Sequence, residues 1–335
     1  MEYQPIDLPV IDLSPLEDNI ENSSPEILEK IAREIKSACT KHGVFYITSS
    51  SFKLEEQKNI LESSHKFFAL PESVKNTIPI KSGGFTRGYV GIGSESGSHR
   101  LEVKEAFSYG YEWNASENPT NSLQGPNEWG NLGQILGEEW RESLKRFYNL
   151  LVHLATLVVK GLELALGIEL KSHCSGGETI SLMRLFRYFP YENKEQDANE
   201  NEKIGSSPHT DWGFLTLVLQ QEDTQGLQVF YNDQWWDIPS KPASIIVNCG
   251  DYLSLLSRGT YISPLHRVVN DGMHERYSCA FFYYPRYDSK IPMFNQDADN
   301  EILCSKELSL FKNQTNDFND QKENMIDLTD ICFGE

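Results

Sequence analysis

The sequence is organised around the stretch Pro208-His209-Thr210-Asp211-Trp212-Gly213. This stretch reads as extended chain that ends at Trp212-Gly213. Side chains two residues apart in extended chain point in the same direction. We therefore expect His209 and Asp211 to face one interior point while Thr210 faces away. A histidine two positions before an aspartate also arises often by chance, so the pair alone does not define a site.

His266 supplies a candidate third group, because it lies in the strand-like run Ser263-Pro264-Leu265-His266-Arg267-Val268-Val269. Two imidazoles and one carboxylate can occupy one face of a ferrous ion and leave its other positions open. This set suits iron better than structural zinc, which prefers thiolates and four closed ligands. We expect that only closure of a sheet into a barrel brings His266 back to the other two groups. The alternative is an ordinary core histidine.

Arg276 and Ser278 repeat the same spacing in Arg276-Tyr277-Ser278. Both side chains are expected on one face of a strand. An arginine inside a sheet needs an anion to neutralise it. A guanidinium beside a hydroxyl makes a charge-assisted clamp for a carboxylate ligand. An internal salt bridge to an acid of the protein explains the same pattern equally well.

The second half of the chain has the character of an all-β structure. Short runs rich in β-branched and aromatic residues follow one another without helix-length segments between them, which indicates a sandwich or barrel rather than a parallel α/β sheet. These runs are Ser181 to Phe189, Phe214 to Gln220, Gly226 to Tyr231, Ser244 to Asn248, Ser263 to Val269 and Tyr277 to Tyr284.

The first half is expected to be mostly helical, with short strands at Leu8 to Leu13 and Val44 to Ile47. Ser24-Pro25-Glu26 has a hydroxyl cap and a first-turn proline, and it predicts a helix that ends near His42-Gly43. A second helix is predicted from Leu54 to Leu70 and a long apolar one from Glu138 to Gly167. The long helix needs an apolar partner, and the back of the sheet is the natural one.

Bulk composition excludes several classes of protein. The 335 residues carry a formal net charge of −19, and no basic stripe typical of a nucleic-acid binder is present. The acidic N-terminus lacks the features of a secretory signal, and the long apolar helix contains charges that argue against a membrane span. Six scattered cysteines without a CxxC pair are typical of reduced thiols, so we expect a cytoplasmic protein.

Three polar or flexible segments are also evident. The Gly- and Ser-rich stretch from Lys81 to Gly97 favours a surface loop over a phosphate cradle, because no helix start with the required residues follows it. Glu192 to Lys203 is predicted to be an exposed insertion, and the tail after about Leu310 is predicted to be loosely attached.

Taken in order, the motifs of this chain resemble those of the isopenicillin N synthase-like branch of the Fe(II)- and 2-oxoglutarate-dependent oxygenases. The resemblance covers nearly the whole chain and is most specific in its catalytic core. The matching motifs are Leu8 to Leu13, His42 to Tyr46, Lys66 to Pro71, Arg87 to Tyr89, Lys104 to Phe107, Gly125 to Asn127, His209 to Gly213, Gly226 to Val229, Asn248 to Asp251, Leu265 to Arg267 and Arg276 to Ser278.

The resemblance implies a mainly β protein with flanking α-helices, in which a double-stranded β-helix (jelly roll) core packs against N-terminal helices. It divides the chain into a helical and mixed region at 1–120, a connector with the long core helix at 121–177, the jelly-roll oxygenase core at 178–300 and a polar C-terminal segment at 301–335.

The resemblance also assigns the site. His209, Asp211 and His266 would hold Fe(II) and form the catalytic centre, while Arg276 and Ser278 would grip the distal carboxylate of 2-oxoglutarate. Many relatives place a tyrosine against the cosubstrate just before a proline. In Arg187-Tyr188-Phe189-Pro190 that position is expected to be Phe189, with Tyr188, Tyr191 or Arg184 as substitutes. Strand alternation is expected to disfavour Tyr188.

The expected function is oxidation of a C–H bond, by default hydroxylation, in a small organic molecule. Dioxygen and 2-oxoglutarate would be consumed, with succinate and carbon dioxide as coproducts. Fe(II) and 2-oxoglutarate are the expected cofactors and ascorbate is a further candidate; neither nucleic acid nor a membrane is expected as a partner. Two rivals stay open, a ferrous oxidase of the same fold that does not consume 2-oxoglutarate and a non-catalytic small-molecule-binding jelly roll.

Overall fold

The computed structural model describes residues 4–17, 23–80, 87–94, 102–113, 119–121, 123–190, 204–270 and 274–290. The polar insertion predicted at 192–203, most of the glycine-rich stretch at 81–97 and the tail after 290 lie outside the described residues. The helices are α1 Ser14–Glu17, α2 Pro25–Lys41, α3 Leu54–Phe68, α4 Glu72–Lys75, α5 Leu132–Leu136, α6 Glu138–Leu166, α7 Lys171–Cys174 and α8 Asp251–Leu256, with a 3-10 helix at Gly177–Thr179.

The strands form two facing sheets. They are β1 Val10–Asp12, β2 Val44–Thr48, β3 Gly88–Val90, β4 Lys104–Gly110, β5 Leu182–Tyr188, β6 Ile204–His209, β7 Leu215–Gln220, β8 Leu227–Tyr231, β9 Gln234–Asp237, β10 Ile245–Cys249, β11 His266–Val269 and β12 Arg276–Tyr283. The large sheet has the order β1-β2-β10-β7-β12-β5-β4-β3 and the small one the order β6-β11-β8-β9.

The two sheets pack face to face around one apolar interior. Val218 and Ala280 of the large sheet lie in the same buried cluster as Val229 and Val268 of the small sheet. Neighbouring strands pair antiparallel except β1 with β2. Together with flanking helices, this sandwich confirms the predicted jelly-roll core.

Helices cover the outer face of the large sheet. Leu217 of β7 and Phe281 of β12 point outward into a second buried cluster, where they meet Ile35 of α2, Phe67 of α3 and Leu154 of α6. The long helix α6 is apolar and long enough to cross a membrane by composition alone, but its apolar side packs into this cluster. The prediction that the long helix packs on the back of the sheet is confirmed.

Glycine allows α2 to turn directly into β2. Ser24 caps the helix by accepting a hydrogen bond from the Ile27 amide, as its sequence predicts. After the helix ends, Gly43 adopts a φ of +68°, and a Cβ at this position would collide with the carbonyl oxygen of Ile262. The left-handed conformation and the close approach both require glycine. The turn aligns β2 beside β10, next to the residues that support the site.

The predicted division into a helical first half and a β second half is only partly right. The two predicted strands are confirmed as β1 and β2, but β3 and β4 also come from the first half, and all four complete the large sheet. The strand Lys104–Gly110 is not evident from its sequence, because it includes a charged residue, Glu105, that is almost completely buried. The segment β6 and the short helix α8 were also missed. The domain boundaries at residues 120, 177 and 300 stay a prediction.

A buried ion cluster explains the charge inside β4. Glu105 accepts hydrogen bonds from Lys75 Nζ at 2.6 Å, from the Tyr89 hydroxyl at 2.5 Å and from Arg187 Nη1 at 3.1 Å. The side chains of Lys75 and Glu105 are 5% and 2% exposed. The cluster therefore links helix α4 to the strands β3, β4 and β5 of the large sheet.

Replacing Glu105 with Ala is expected to lower the free energy of unfolding by about 3–5 kcal/mol, because Lys75 would stay buried without its counter-charge. Urea denaturation of the purified protein measures this difference. The exposed pair Arg146–Glu139 is the control, and its replacement by alanines should change stability little. A loss below about 1 kcal/mol for Glu105→Ala would show that the cluster does not stabilise the fold.

Candidate metal and cosubstrate site

The three predicted metal ligands converge at the junction of two strands. His209 ends β6, His266 begins β11, and the two residues are direct antiparallel partners. Their ring centroids lie 4.2 Å apart. Asp211 follows two residues after His209, and one donor atom from each of the three side chains falls within 4.8 Å of the others. The expected convergence thus occurs, but it arises from direct antiparallel pairing of the neighbouring strands β6 and β11 and not from closure of a barrel.

Backbone carbonyls orient both imidazoles. The Nδ1 atom of His209 lies 2.7 Å from the Ser207 carbonyl oxygen, and that of His266 lies 3.0 Å from the Pro264 carbonyl oxygen. When Nδ1–H donates to these carbonyls, Nε2 presents its lone pair to the space between the rings. Each Nε2 lies 3.7 Å from a different carboxylate oxygen of Asp211. The three groups therefore face one point.

The electrostatics keep His209 ready to bind a cation. Desolvation and the neighbouring His266 imidazole lower the pKa of His209 to about 4. The ring is therefore neutral near pH 7, which is the form that coordinates a metal. The His209 side chain is 41% exposed, whereas His266 is 8% and Asp211 is 5% exposed. The open side of the centre thus lies at His209.

Backbone contacts from the turn at the start of α8 hold Asp211 in place. The Asp251 amide donates to the Asp211 carbonyl oxygen at 2.7 Å. A Cβ on Gly250 would collide with the carbonyl oxygen of Gly213, so this crossing requires glycine. The motif Asn248 to Asp251, which is part of the resemblance, therefore supports Asp211 through the backbone at the start of α8.

Arg276 is a buried cation that has no partner acid among the described residues. It is 6% exposed, and its Nη2 donates to Gln220 Oε1. Its Nε and Nη1 atoms are buried without hydrogen-bond partners, and no carboxylate in the described part of the chain pairs with it. Burial lowers the pKa of Arg276. The internal salt bridge that the sequence left open is absent from these residues, and the orphaned guanidinium fits an anionic ligand.

Ser278 lies two residues farther along the same strand and is 3% exposed. Strand alternation puts it on the face that carries Arg276 and Ala280, which is the interior of the sandwich. The hydroxyl and the guanidinium therefore line one interior surface. This placement matches the clamp expected from the Arg-x-Ser pattern.

The prediction about the tyrosine beside Arg276 was wrong. Tyr188 is the direct β5 partner of Arg276, and the guanidinium carbon lies 5.0 Å from its ring centre. Phe189 instead lies 4.4 Å from the guanidinium carbon of Arg187. The inward face of β5 is set by Phe186 and Tyr188, which both belong to the interior cluster. Counting back from the proline misplaced the register by one residue.

A donor set of two imidazoles and one carboxylate that is open on one side is the arrangement expected of a non-haem Fe(II) oxygenase site. Two family profiles match the chain, together over more than half of its length. Residues 8–131 match the N-terminal region of the non-haem dioxygenases in morphine synthesis, and residues 180–285 match the 2OG-Fe(II) oxygenase superfamily.

Individual relatives agree with the profiles. The 2-oxoglutarate-dependent dioxygenase caaD of Aspergillus niger is 29% identical, with coverage of 90% of this chain and 92% of that protein. Homoarginine-6-hydroxylase 2-ODD-C23.2 of Arabidopsis thaliana is 31% identical over 85% of this chain and 79% of its own. A full-length protein of Neurospora crassa, crystallised with alpha-KG and thymine, shares the fold with a TM-score of 0.76 at 22% identity over 94% of this chain and 99% of that one.

The chain belongs to the 2OG-Fe(II) oxygenase superfamily. It is accordingly an oxidoreductase that uses Fe(II) and 2-oxoglutarate. The residues that the structure brings together fit both groups, since the histidines and the aspartate offer nitrogen and oxygen donors and Arg276 offers an unmatched positive charge.

Proposed function

We propose that this protein hydroxylates a C–H bond of a small organic molecule, with Fe(II) held by His209, Asp211 and His266. The observation that carries the proposal is that one sandwich contains both these three converging donors and the buried guanidinium of Arg276, which has no partner acid among the described residues. Fe(II) and 2-oxoglutarate together supply the activation of dioxygen, with succinate and carbon dioxide as coproducts.

The chain's own residues bind and orient the cosubstrate and exclude water from its surroundings. Arg276 and Ser278 bind the distal carboxylate of 2-oxoglutarate, and Gln220 holds one edge of the guanidinium in place. Apolar side chains of the interior cluster, including Phe186 and Phe282, keep the surroundings of the cosubstrate dry. A low-dielectric environment strengthens the pairing between guanidinium and carboxylate.

The names of similar proteins support a small-molecule substrate. One relative is a homoarginine hydroxylase, and the Neurospora crassa structure contains thymine. Hydroxylation as the outcome, the absence of nucleic-acid and membrane partners, and a cytoplasmic location stay predictions. Ascorbate also stays a prediction.

An anaerobic titration followed by product analysis tests the proposal. Adding Fe(II) and then 2-oxoglutarate to the purified protein should produce a visible metal-to-ligand charge-transfer band. Aerobic incubation with fractionated metabolite extracts should then release succinate in step with an oxygenated product. Oxygen consumption without succinate would favour the oxidase that does not use 2-oxoglutarate. A protein that gives neither the band nor any turnover would favour the non-catalytic binding protein.

Tyr188→Phe is expected to weaken 2-oxoglutarate binding about 2- to 13-fold, because a hydroxyl beside Arg276 contributes roughly 0.5–1.5 kcal/mol. The measurement is the dissociation constant from the charge-transfer titration. Phe189→Tyr is the matched control and should leave that constant unchanged, since Phe189 lies against Arg187 and away from Arg276. Tighter binding by Phe189→Tyr together with no effect of Tyr188→Phe would instead support the prediction that the tyrosine position is Phe189.

A further inference from the structure

The strand that carries His209 is weakly held by its own sheet. β6 is an edge strand of the small sheet, and its sole partner strand in the described part of the chain is β11. The pairing is irregular, with register shifts between His266 and Val269. An edge strand with an irregular ladder leaves backbone groups to be satisfied elsewhere. The position of His209 therefore depends on contacts from outside the small sheet.

One such contact comes from Glu102, just before β4. Its Oε1 accepts the Ser207 amide proton at an N–O distance of 2.7 Å. The carbonyl oxygen of the same Ser207 lies 2.7 Å from Nδ1 of His209. Pro208 restricts Ser207 to extended conformations, which couples the directions of its N–H and C=O groups. The carboxylate of Glu102 thus fixes the residue that orients the His209 ring.

Lys104 holds Glu102 in turn. Its Nζ lies 2.6 Å from Glu102 Oε2, and the two side chains are 11% and 3% exposed. Lys104 is the direct strand partner of Tyr188, which is the partner of Arg276. The ion pair therefore lies at the place where the large sheet, with its carboxylate clamp, meets the strand that ends in His209.

The Glu102 carboxylate is ionised although it is buried. Burial raises its pKa, but the charge of Lys104 and the hydrogen bonds from Lys104 and Ser207 lower the pKa below its ordinary value. A buried ion pair is seldom the most stable choice for a fold, because apolar residues of similar volume do as well or better. Stability alone therefore does not explain the pair.

We propose that Glu102 is a positioning residue for the metal site. Through Ser207 it holds the His209 ring with Nε2 aimed at Asp211, and Lys104 fixes the carboxylate that does so. This role rests on the proposed function, because it requires His209 to be a metal ligand. Replacing a group that supports a metal-ligating histidine from outside the coordination sphere commonly changes metal affinity about 10- to 100-fold.

Two double variants that lack both charges test the role of the side-chain oxygen at position 102, which accepts the hydrogen bond from the Ser207 amide. Glu102→Gln with Lys104→Met keeps a side-chain oxygen for the Ser207 amide, whereas Glu102→Leu with Lys104→Met removes it. Both variants lack the ion pair, so the comparison tests the side-chain oxygen that accepts the Ser207 amide. Anaerobic titration with Fe(II), and with Co(II) followed by its visible ligand-field bands, gives the metal dissociation constants. Unfolding of the metal-free proteins gives their stability separately.

The Gln–Met variant should bind metal within about 3-fold of the wild type, and the Leu–Met variant about 10- to 100-fold more weakly. Equal affinities in the two variants would overturn the proposal. If the Leu–Met protein does not fold, Glu102→Ala with Lys104→Met makes the same comparison. Glu163→Gln is the remote control, since Glu163 also accepts two backbone amides, at 2.8 and 2.9 Å, and should bind like the wild type.

The wild-type titration separates the two possible failures. If the wild type binds neither Fe(II) nor Co(II), the proposed metal site is wrong and the role of Glu102 falls with it. If the wild type binds both metals and the two double variants match it, the metal site stands and only the positioning role is wrong.

Discussion

Replacing Asp211 with Ala is expected to abolish both Fe(II) binding and turnover. Asp211 is the one anionic donor among the three, and it lies between the two imidazoles at 3.7 Å from each Nε2. Two neutral imidazoles without a carboxylate retain neither the charge nor the geometry of the site. We expect metal affinity to fall by more than the roughly 100-fold that losing an outer hydrogen bond causes.

Metal titration and succinate release on the purified variant check this result. Asp237→Asn is the control, because Asp237 is also a buried acid of the small sheet but lies on its far strand β9, where it accepts a hydrogen bond from Gln228 of β8. It should keep full metal affinity. Full turnover by Asp211→Ala would remove the assignment of the iron ligands altogether.

Thermal unfolding gives an independent readout of the same change. A ligand that binds only the folded state stabilises it by about 2.7 kcal/mol at a concentration 100 times its dissociation constant. Adding Co(II) should therefore raise the unfolding temperature of the wild type and leave that of Asp211→Ala unchanged. A loss of folding would instead lower the unfolding temperature of the metal-free variant.

Runs rich in β-branched and aromatic residues are sufficient to predict the strands at the centre of the large sheet. β5, β7, β10 and β12 consist mainly of apolar residues buried on both faces, so their sequences are continuous apolar runs. β4 and β6 escaped detection because their buried polar groups are satisfied by distant residues. Glu105 is neutralised by Lys75, and the Ser207 amide bonds to Glu102. Such contacts leave no local periodicity.

The site was predictable to the extent that it depends on residue type and spacing. His209, Asp211 and Arg276 each lie where the motifs and the resemblance placed them. The error at Tyr188 arose because the motif was aligned on Pro190, whereas the register of β5 is set by its pairing with β12. The contribution of Glu102 was not detectable, since it depends on a contact between residues that lie 105 positions apart.

Arg276→Met is expected to weaken 2-oxoglutarate binding about 30-fold to several thousand-fold. Removing one partner of a buried, hydrogen-bonded charge pair costs about 2–5 kcal/mol of binding. Arg276→Lys should fall between the wild type and the Met variant, because an ammonium keeps the charge but lacks the planar fork that meets a carboxylate with two hydrogen bonds. The dissociation constant of 2-oxoglutarate in the presence of Fe(II) measures both effects.

Stability of the protein without cosubstrate distinguishes a ligand-binding arginine from a structural one. In the wild type, Nε and Nη1 of Arg276 are buried, and no described residue hydrogen-bonds to them or neutralises the guanidinium. Methionine removes that charge but leaves Gln220 Oε1 without its donor, a loss of about 1–3 kcal/mol that offsets the gain. We therefore expect the cosubstrate-free variant to unfold at nearly the wild-type temperature, while 2-oxoglutarate raises the unfolding temperature of the wild type alone. A variant that is much less stable without 2-oxoglutarate would show that Arg276 supports the fold and not the cosubstrate.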